Sequence, residues 1–171
     1  MIVNLSSLKI IRNNCKKVVL AVGTFDLFHY EHLRYLQAAK DLGGTLVVAV
    51  KDNKCAKLKS PNRPVIDESQ RMEIVDNIKC VDYTVLLNYD EEFNSDIEYD
   101  DQNQQDWLRI FEKVFRELKP DILYYEIKPE LQSVRERIFK KYNVEGISRE
   151  RTAIVSTTKI VNKIIEDNKK E

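Results

Sequence analysis

Val18–Lys40, VVLAVGTFDLFHYEHLRYLQAAK, is the stretch on which the fold turns. Val18, Val19, Leu20, Ala21 and Val22 form an unbroken apolar run ending at Gly23, the pattern of a parallel strand covered on both faces. Beyond the turn, Leu33, Leu36, Ala39 and Leu42 recur at three-residue steps, which makes a helix with one apolar face. His29 and His32 stand where that helix begins. A first helical turn has unpaired N–H groups and the positive end of the dipole, so it attracts anions. Two imidazoles added there point to a phosphate site.

Working outward, Gly43-Gly44 closes the helix and Thr45–Val50, TLVVAV, is a second buried strand, so strand, helix and strand make a right-handed parallel unit. Asp82–Leu87, Asp121–Tyr125 and Val144–Ser148 read as the third, fourth and fifth strands. Helices over Glu68–Ile78, Trp107–Leu118 and Glu130–Tyr142 lie between them. A last helix starts at Ser156, a good N-cap, so Ser156, Thr157 and Thr158 present hydroxyls at a second helix N-terminus. The implied fold is α/β, a Rossmann-like doubly wound parallel sheet of about five strands, in a single domain. Residues 1–16 carry Ile2, Val3, Leu5, Leu8, Ile10 and Ile11 and are expected to pack on the domain or on a second subunit. Lys51–Pro64 reads as a basic loop at the carboxyl end of the second strand, where such sheets bind ligands; Lys51, Lys54, Lys57, Lys59 and Arg63 stand there against Asp52. The stretch 88–106 carries acids from Asp90 to Asp106 and neither Lys nor Arg, and reads as a solvated loop insertion.

Composition narrows the partners. Lys plus Arg number 28 and so do Asp plus Glu, so bulk charge points to neither nucleic acid nor a membrane surface. No stretch approaches a membrane span and the first residues lack a signal-peptide core, so a cytoplasmic protein is expected. Cys15, Cys55 and Cys80 are scattered, reduced thiols in this reading, and two histidines without a cysteine cluster argue against a zinc site. No G-x-G-x-x-G follows the first strand, which sets aside a nicotinamide-dependent oxidoreductase.

GTFDLFHYEH, residues 23–32, resembles the G-T/C-F-D-x-x-H-x-G-H signature of the HxGH-type nucleotidyltransferases. This cytidylyltransferase-like family includes glycerol-3-phosphate cytidylyltransferase and the heptose or sugar-phosphate adenylyltransferases. RPVIDESQRM, residues 63–72, and RTAIVSTTKI, residues 151–160, resemble two further family stretches. The resemblance implies that a phosphorylated small molecule, a sugar or alcohol phosphate, attacks the α-phosphate of ATP or CTP and pyrophosphate leaves. Mg²⁺ would travel with the triphosphate, with no dedicated metal ligands on the protein. His29, His32, Lys57 and Arg71 would be catalytic. Gly23, Thr24, Phe25, Asp26, Lys54, Lys59, Arg151, Thr152, Ser156, Thr157 and Thr158 would bind nucleotide or phosphate, Asp26 by positioning the motif rather than as a base. A homodimer is the family's habit. Glu31, Glu126 and Ile154 stand where the family has glycine. They keep open an alternative, a catalytically inactive member acting as a nucleotide-binding or assembly subunit. The carboxylate of Glu31 opposes phosphate unless it points to solvent or pairs with a lysine such as Lys54.

Overall fold

A computed structural model of the protein describes residues 1–59, 61–90, 92, 95, 97, 102–150 and 155–168, with the side chains at 59 and 103 outside that description. Six strands form one open sheet: β1 (Ile2–Val3), β2 (Val18–Gly23), β3 (Thr45–Lys51), β4 (Tyr83–Leu87), β5 (Ile122–Glu126) and β6 (Glu145–Arg149). Every pairing is parallel and the order is β1-β4-β3-β2-β5-β6. The chain moves outward from β2 to β3 and β4, then returns to lay β5 on the other side of β2. The switch point therefore lies between the carboxyl ends of β2 and β5, the place where open sheets of this kind bind ligands.

The helices are α1 (Leu8–Asn14), α2 (Tyr30–Asp41), α3 (Asn53–Lys59), α4 (Glu68–Asp76), α5 (Gln102–Leu118), α6 (Gln132–Tyr142) and α7 (Thr157–Asn168). Alternation along the central strands divides the core. Val18, Leu20, Val47 and Ala49 pack with α1, α5 and α6 through Leu8, Val114, Phe115, Val134 and Ile138. Val19, Ala21, Val48 and Val50 pack with α2 and α4 through Leu36, Ala39, Met72 and Val75. Among the described residues no helix is long and apolar enough to cross a membrane.

The structure refines one expectation and corrects two others. The sheet has six strands, because the N-terminal segment adds β1 beside β4, with Ile2 opposite Thr84 and Val3 opposite Val85; a two-residue strand is too short to show a period. Lys51–Pro64 is not all loop, since α3 occupies Asn53–Lys59. Asp52 starts that helix by accepting the Cys55 N–H at 2.7 Å, and the Lys, Ala and Leu that follow are good helix formers. Helix α5 begins at Gln102, inside the acidic stretch expected to be loop. Within that stretch Ile97 is buried against the core, and Asp90 pairs with Lys113 at 3.1 Å.

Candidate active site

The turn after β2 is built by aromatic packing. Phe25 and Leu27 have φ of 54° and 46°, left-handed conformations that non-glycine residues seldom hold. The Phe25 ring folds back over Gly23, where a Cβ would lie 2.7 Å from it and force the buried ring to shift. Phe25 is buried and meets His32 edge-on, with ring centroids 5.5 Å apart. The Phe28 ring also lies 5.5 Å from His32. His29 is the N-cap residue of α2, and its ring stacks on His32 at 3.9 Å and 19°. Both imidazoles thus sit at the positive end of α2, packed against aromatic rings.

Asp26 ties this turn to the segment before α4. Its carboxylate accepts N–H bonds from Val65 at 3.1 Å and Ile66 at 3.0 Å, and pairs with Arg63 at 3.0 Å. Burial alone would raise its pKa, but the two backbone donors and the Arg63 guanidinium outweigh it and hold the carboxyl below the ordinary carboxylate range. Asp26 is therefore a fixed anion that positions the motif. Because the folded pKa is lowered, its contribution to stability is present above the ordinary value of 3.8 and is lost as pH falls through the lower folded value. Asp26→Asn is expected to lower the melting temperature at neutral pH and to flatten the loss of stability below about pH 4, in melts run from acid to neutral pH. A parallel acid limb would contradict this.

Arg71, expected at phosphate, lies inside the protein. Its side chain has no exposed surface. Nε donates to the Ile66 carbonyl at 2.9 Å, Nη1 to the Thr24 and Lys51 carbonyls at 2.5 and 2.7 Å, and Nη2 to Asn53 Oδ1 at 3.0 Å. The arginine of the second motif is a clamp joining the β2 turn, the end of β3, α3 and α4. Phe25 likewise contributes a buried ring rather than an exposed surface. Lys54 and Lys57 stand on the exposed side of α3, the Lys54 ammonium 5.7 Å from the centre of the Tyr89 ring.

Helix α7 brings the third motif to the first. Thr157 Oγ1 donates to the Asp26 carbonyl at 3.0 Å, across 131 residues of chain. Ser156 caps the helix by accepting the Lys159 N–H at 3.2 Å. Two helix N-termini, those of α2 and α7, therefore converge on one turn, and Thr158 lies exposed beside them. Arg151, Thr152 and Ile154 fall outside the described residues, as does the side chain of Lys59.

Arginines that sequence reading passed over complete the site. Arg149 ends β6, opposite Glu126 at the end of β5. Its Nη2 lies 3.3 Å from Glu31 Oε2 and 3.6 Å from Glu126 Oε1, so one guanidinium bridges both glutamates. Glu31 pairs with Arg149, a cation that plays the part a lysine such as Lys54 would have played in offsetting its charge. Arg149 also faces the Tyr35 ring at 5.5 Å, and the buried Tyr35 hydroxyl donates to the Tyr124 carbonyl at 2.6 Å. Arg135 of α6 is buried on the other side of β5, over Tyr125. The signals were a charged residue at a strand's carboxyl end and an arginine in phase with the apolar stripe Leu131, Val134 and Ile138. Among the described residues, no cluster of three His, Cys, Asp or Glu side chains is placed to hold a metal ion.

The cytidylyltransferase-like family model matches residues 20–163. The bifunctional protein HldE of Citrifermentans bemidjiense is 45% identical over 76 residues, 44% of this chain, and the match spans 16% of that protein's length. An FAD synthase of Archaeoglobus profundus is 32% identical over 154 residues, 86% of each chain. The solved pantoate-beta-alanine ligase of Francisella tularensis superposes with a TM-score of 0.67 over 97% of this chain and 78% of its own, at 19% identity, which is a likeness of fold.

Proposed function

We propose that this chain, which belongs to the cytidylyltransferase-like family, transfers a nucleoside monophosphate from ATP or CTP to a phosphorylated small molecule. The observation that carries the reading is the Thr157–Asp26 bond, which sets the α7 N-terminus beside the histidine-bearing N-terminus of α2. An acceptor phosphate oxygen attacks the α-phosphorus. The bond from that phosphorus to its bridging oxygen breaks, and pyrophosphate leaves with the bonding pair. No covalent enzyme intermediate is required, so the protein's work is alignment and stabilisation of charge. His29 and His32 donate toward phosphate oxygens as charge develops, and Ser156, Thr157 and Thr158 hold the triphosphate at α7. Lys54 and Lys57 of α3 neutralise the outer phosphates. Mg²⁺ fits as a partner of the triphosphate, since hard oxygen ligands from phosphate and water satisfy it without a carboxylate cage.

A second reading, nucleotide binding without turnover, has Glu31 and Glu126 in its favour. Arg149 weakens it, because the guanidinium offsets the carboxylates that would oppose phosphate. Titration of the protein with ATP and with CTP in Mg²⁺, followed by a pyrophosphate-release screen, separates the readings. The FAD synthase relative places a phosphorylated flavin in that screen beside sugar and alcohol phosphates. The transferase reading expects micromolar binding of one nucleotide and acceptor-dependent pyrophosphate. Binding with no turnover on any acceptor favours a silent nucleotide-binding subunit, and binding of neither nucleotide defeats the transferase reading and favours a silent assembly subunit.

A further inference from the structure

Among the described residues, Arg135 is a buried cation with no acid paired to it. It follows Leu131 and Val134 and precedes Ile138 on the inward stripe of α6, and it is 5% exposed. Its guanidinium carbon lies 4.4 Å from the centre of the Tyr125 ring. Nε and Nη1 are both shielded from solvent and have no hydrogen-bond partner among the described residues. A ring face replaces only part of the hydration that such a group gives up. Burial lowers the Arg135 pKa from its ordinary value, with Tyr125, Tyr35 and Glu130 acting the other way. Glu130 is an exposed residue, and among the described residues no carboxylate oxygen lies within ion-pair distance of Arg135.

Position decides which partner would complete it. Tyr125 and Glu126 are the last two residues of β5, and successive strand residues face opposite sides of a sheet. Glu126 points with Arg149 and Glu31 to the α2 side, while Tyr125 and Arg135 lie on the α6 side. The two arginines thus stand on either side of β5, at the carboxyl end of the sheet and next to the switch point. The α2 side already carries two glutamates against one arginine. The α6 side carries an arginine with donors to spare.

We propose that Arg135 is the ligand for the anionic group of the acceptor, a phosphate monoester held on the α6 side of β5 while the triphosphate lies at the N-termini of α2 and α7. The proposal rests on the transferase reading for the word acceptor, and on Arg135 alone for the anion. A phosphate seated against the guanidinium meets donors with no competing water and forms charge-assisted hydrogen bonds. Phosphorylated acceptors then outrank their dephosphorylated forms through Arg135, independently of the nucleotide.

The test uses the full chain, inorganic phosphate as probe, and the variants Arg135→Met, Arg135→Lys and His32→Asn. With the N-termini of α2 and α7 filled by saturating ATP or CTP, phosphate is expected to raise the melting temperature of the wild type and of His32→Asn, and to leave Arg135→Met unmoved. Arg135→Met itself is expected to melt no lower than the wild type, since methionine fills the site without a buried charge. In turnover it raises the acceptor KM roughly thirtyfold and leaves the nucleotide KM within about twofold. If Arg135→Met fails to fold, Arg135→Lys carries the test, with a phosphate response at least about fivefold weaker. A phosphate response preserved in the Arg135 variants, or absent from the wild type, overturns the proposal. A response that needs Arg135 in a protein releasing no pyrophosphate with any acceptor defeats the transferase reading and leaves the anion site standing.

Discussion

Replacing His32 by alanine is expected to cut kcat/KM for the nucleotidyl transfer about 100- to 1,000-fold and to leave the melting temperature within a few degrees of the wild type. The size follows from what the imidazole contributes. A preorganised donor aimed at developing phosphate charge, at a helix N-terminus where the dipole already favours anions, is worth roughly 3 to 4 kcal/mol in the transition state. The small effect on folding follows from position. His32 is half-buried on the first turn of α2, packed against the Phe25 and Phe28 rings at the rim of the core. His29→Ala is expected to cost a comparable factor. The rings stack at 3.9 Å, so removing one leaves the other without its support, and the double variant is expected to lose little more than either single one. Pyrophosphate release under saturating nucleotide measures all three, and undiminished turnover in His32→Ala would falsify the role.

The Glu31 carboxylate raised the sharpest objection to this chemistry, and the fold supplies the answer. It needed an arginine 118 residues away, delivered by the pairing of β5 with β6. That contact was not legible in the sequence, because a local motif names the residue between two histidines and says nothing of what lies across the sheet. The same limit explains Arg71. RPV and QRM match a family pattern, yet a match gives the residue and not the direction of its side chain. By contrast, the β2–turn–α2 unit was legible because an apolar run, a glycine and a three-residue stripe all specify one local structure. The convergence of the first and third motifs was legible too, as two helix N-termini in the expected chain order. Strand β1 and helix α3 were missed for opposite reasons. Two residues carry no period, and a lysine-rich stretch read as solvent-facing loop concealed a good helix former capped by Asp52.

Arg71→Met is expected to destabilise the ligand-free protein by about 3 to 5 kcal/mol and to lower its melting temperature by about 10 °C. Three of its hydrogen bonds end on the backbone carbonyls of Thr24, Lys51 and Ile66, and a fourth on Asn53 Oδ1. Methionine fills much of the volume and donates nothing, so those acceptors lose their partner in a place water does not reach. Asp26, Glu68, Asp67 and Asp52 also lose the cation they surround. Arg71→Lys recovers little, because a single ammonium cannot span four acceptors laid out for a planar guanidinium. The two roles for this arginine make different predictions. A phosphate ligand leaves the melting curve of the ligand-free chain unmoved and weakens nucleotide binding. A clamp shifts the melting curve before any nucleotide is added, and turnover falls as a consequence, because Thr24 and the turn that carries both histidines are no longer held against α4. An unchanged melting temperature in ligand-free Arg71→Met would return Arg71 to the phosphate and remove it from the core.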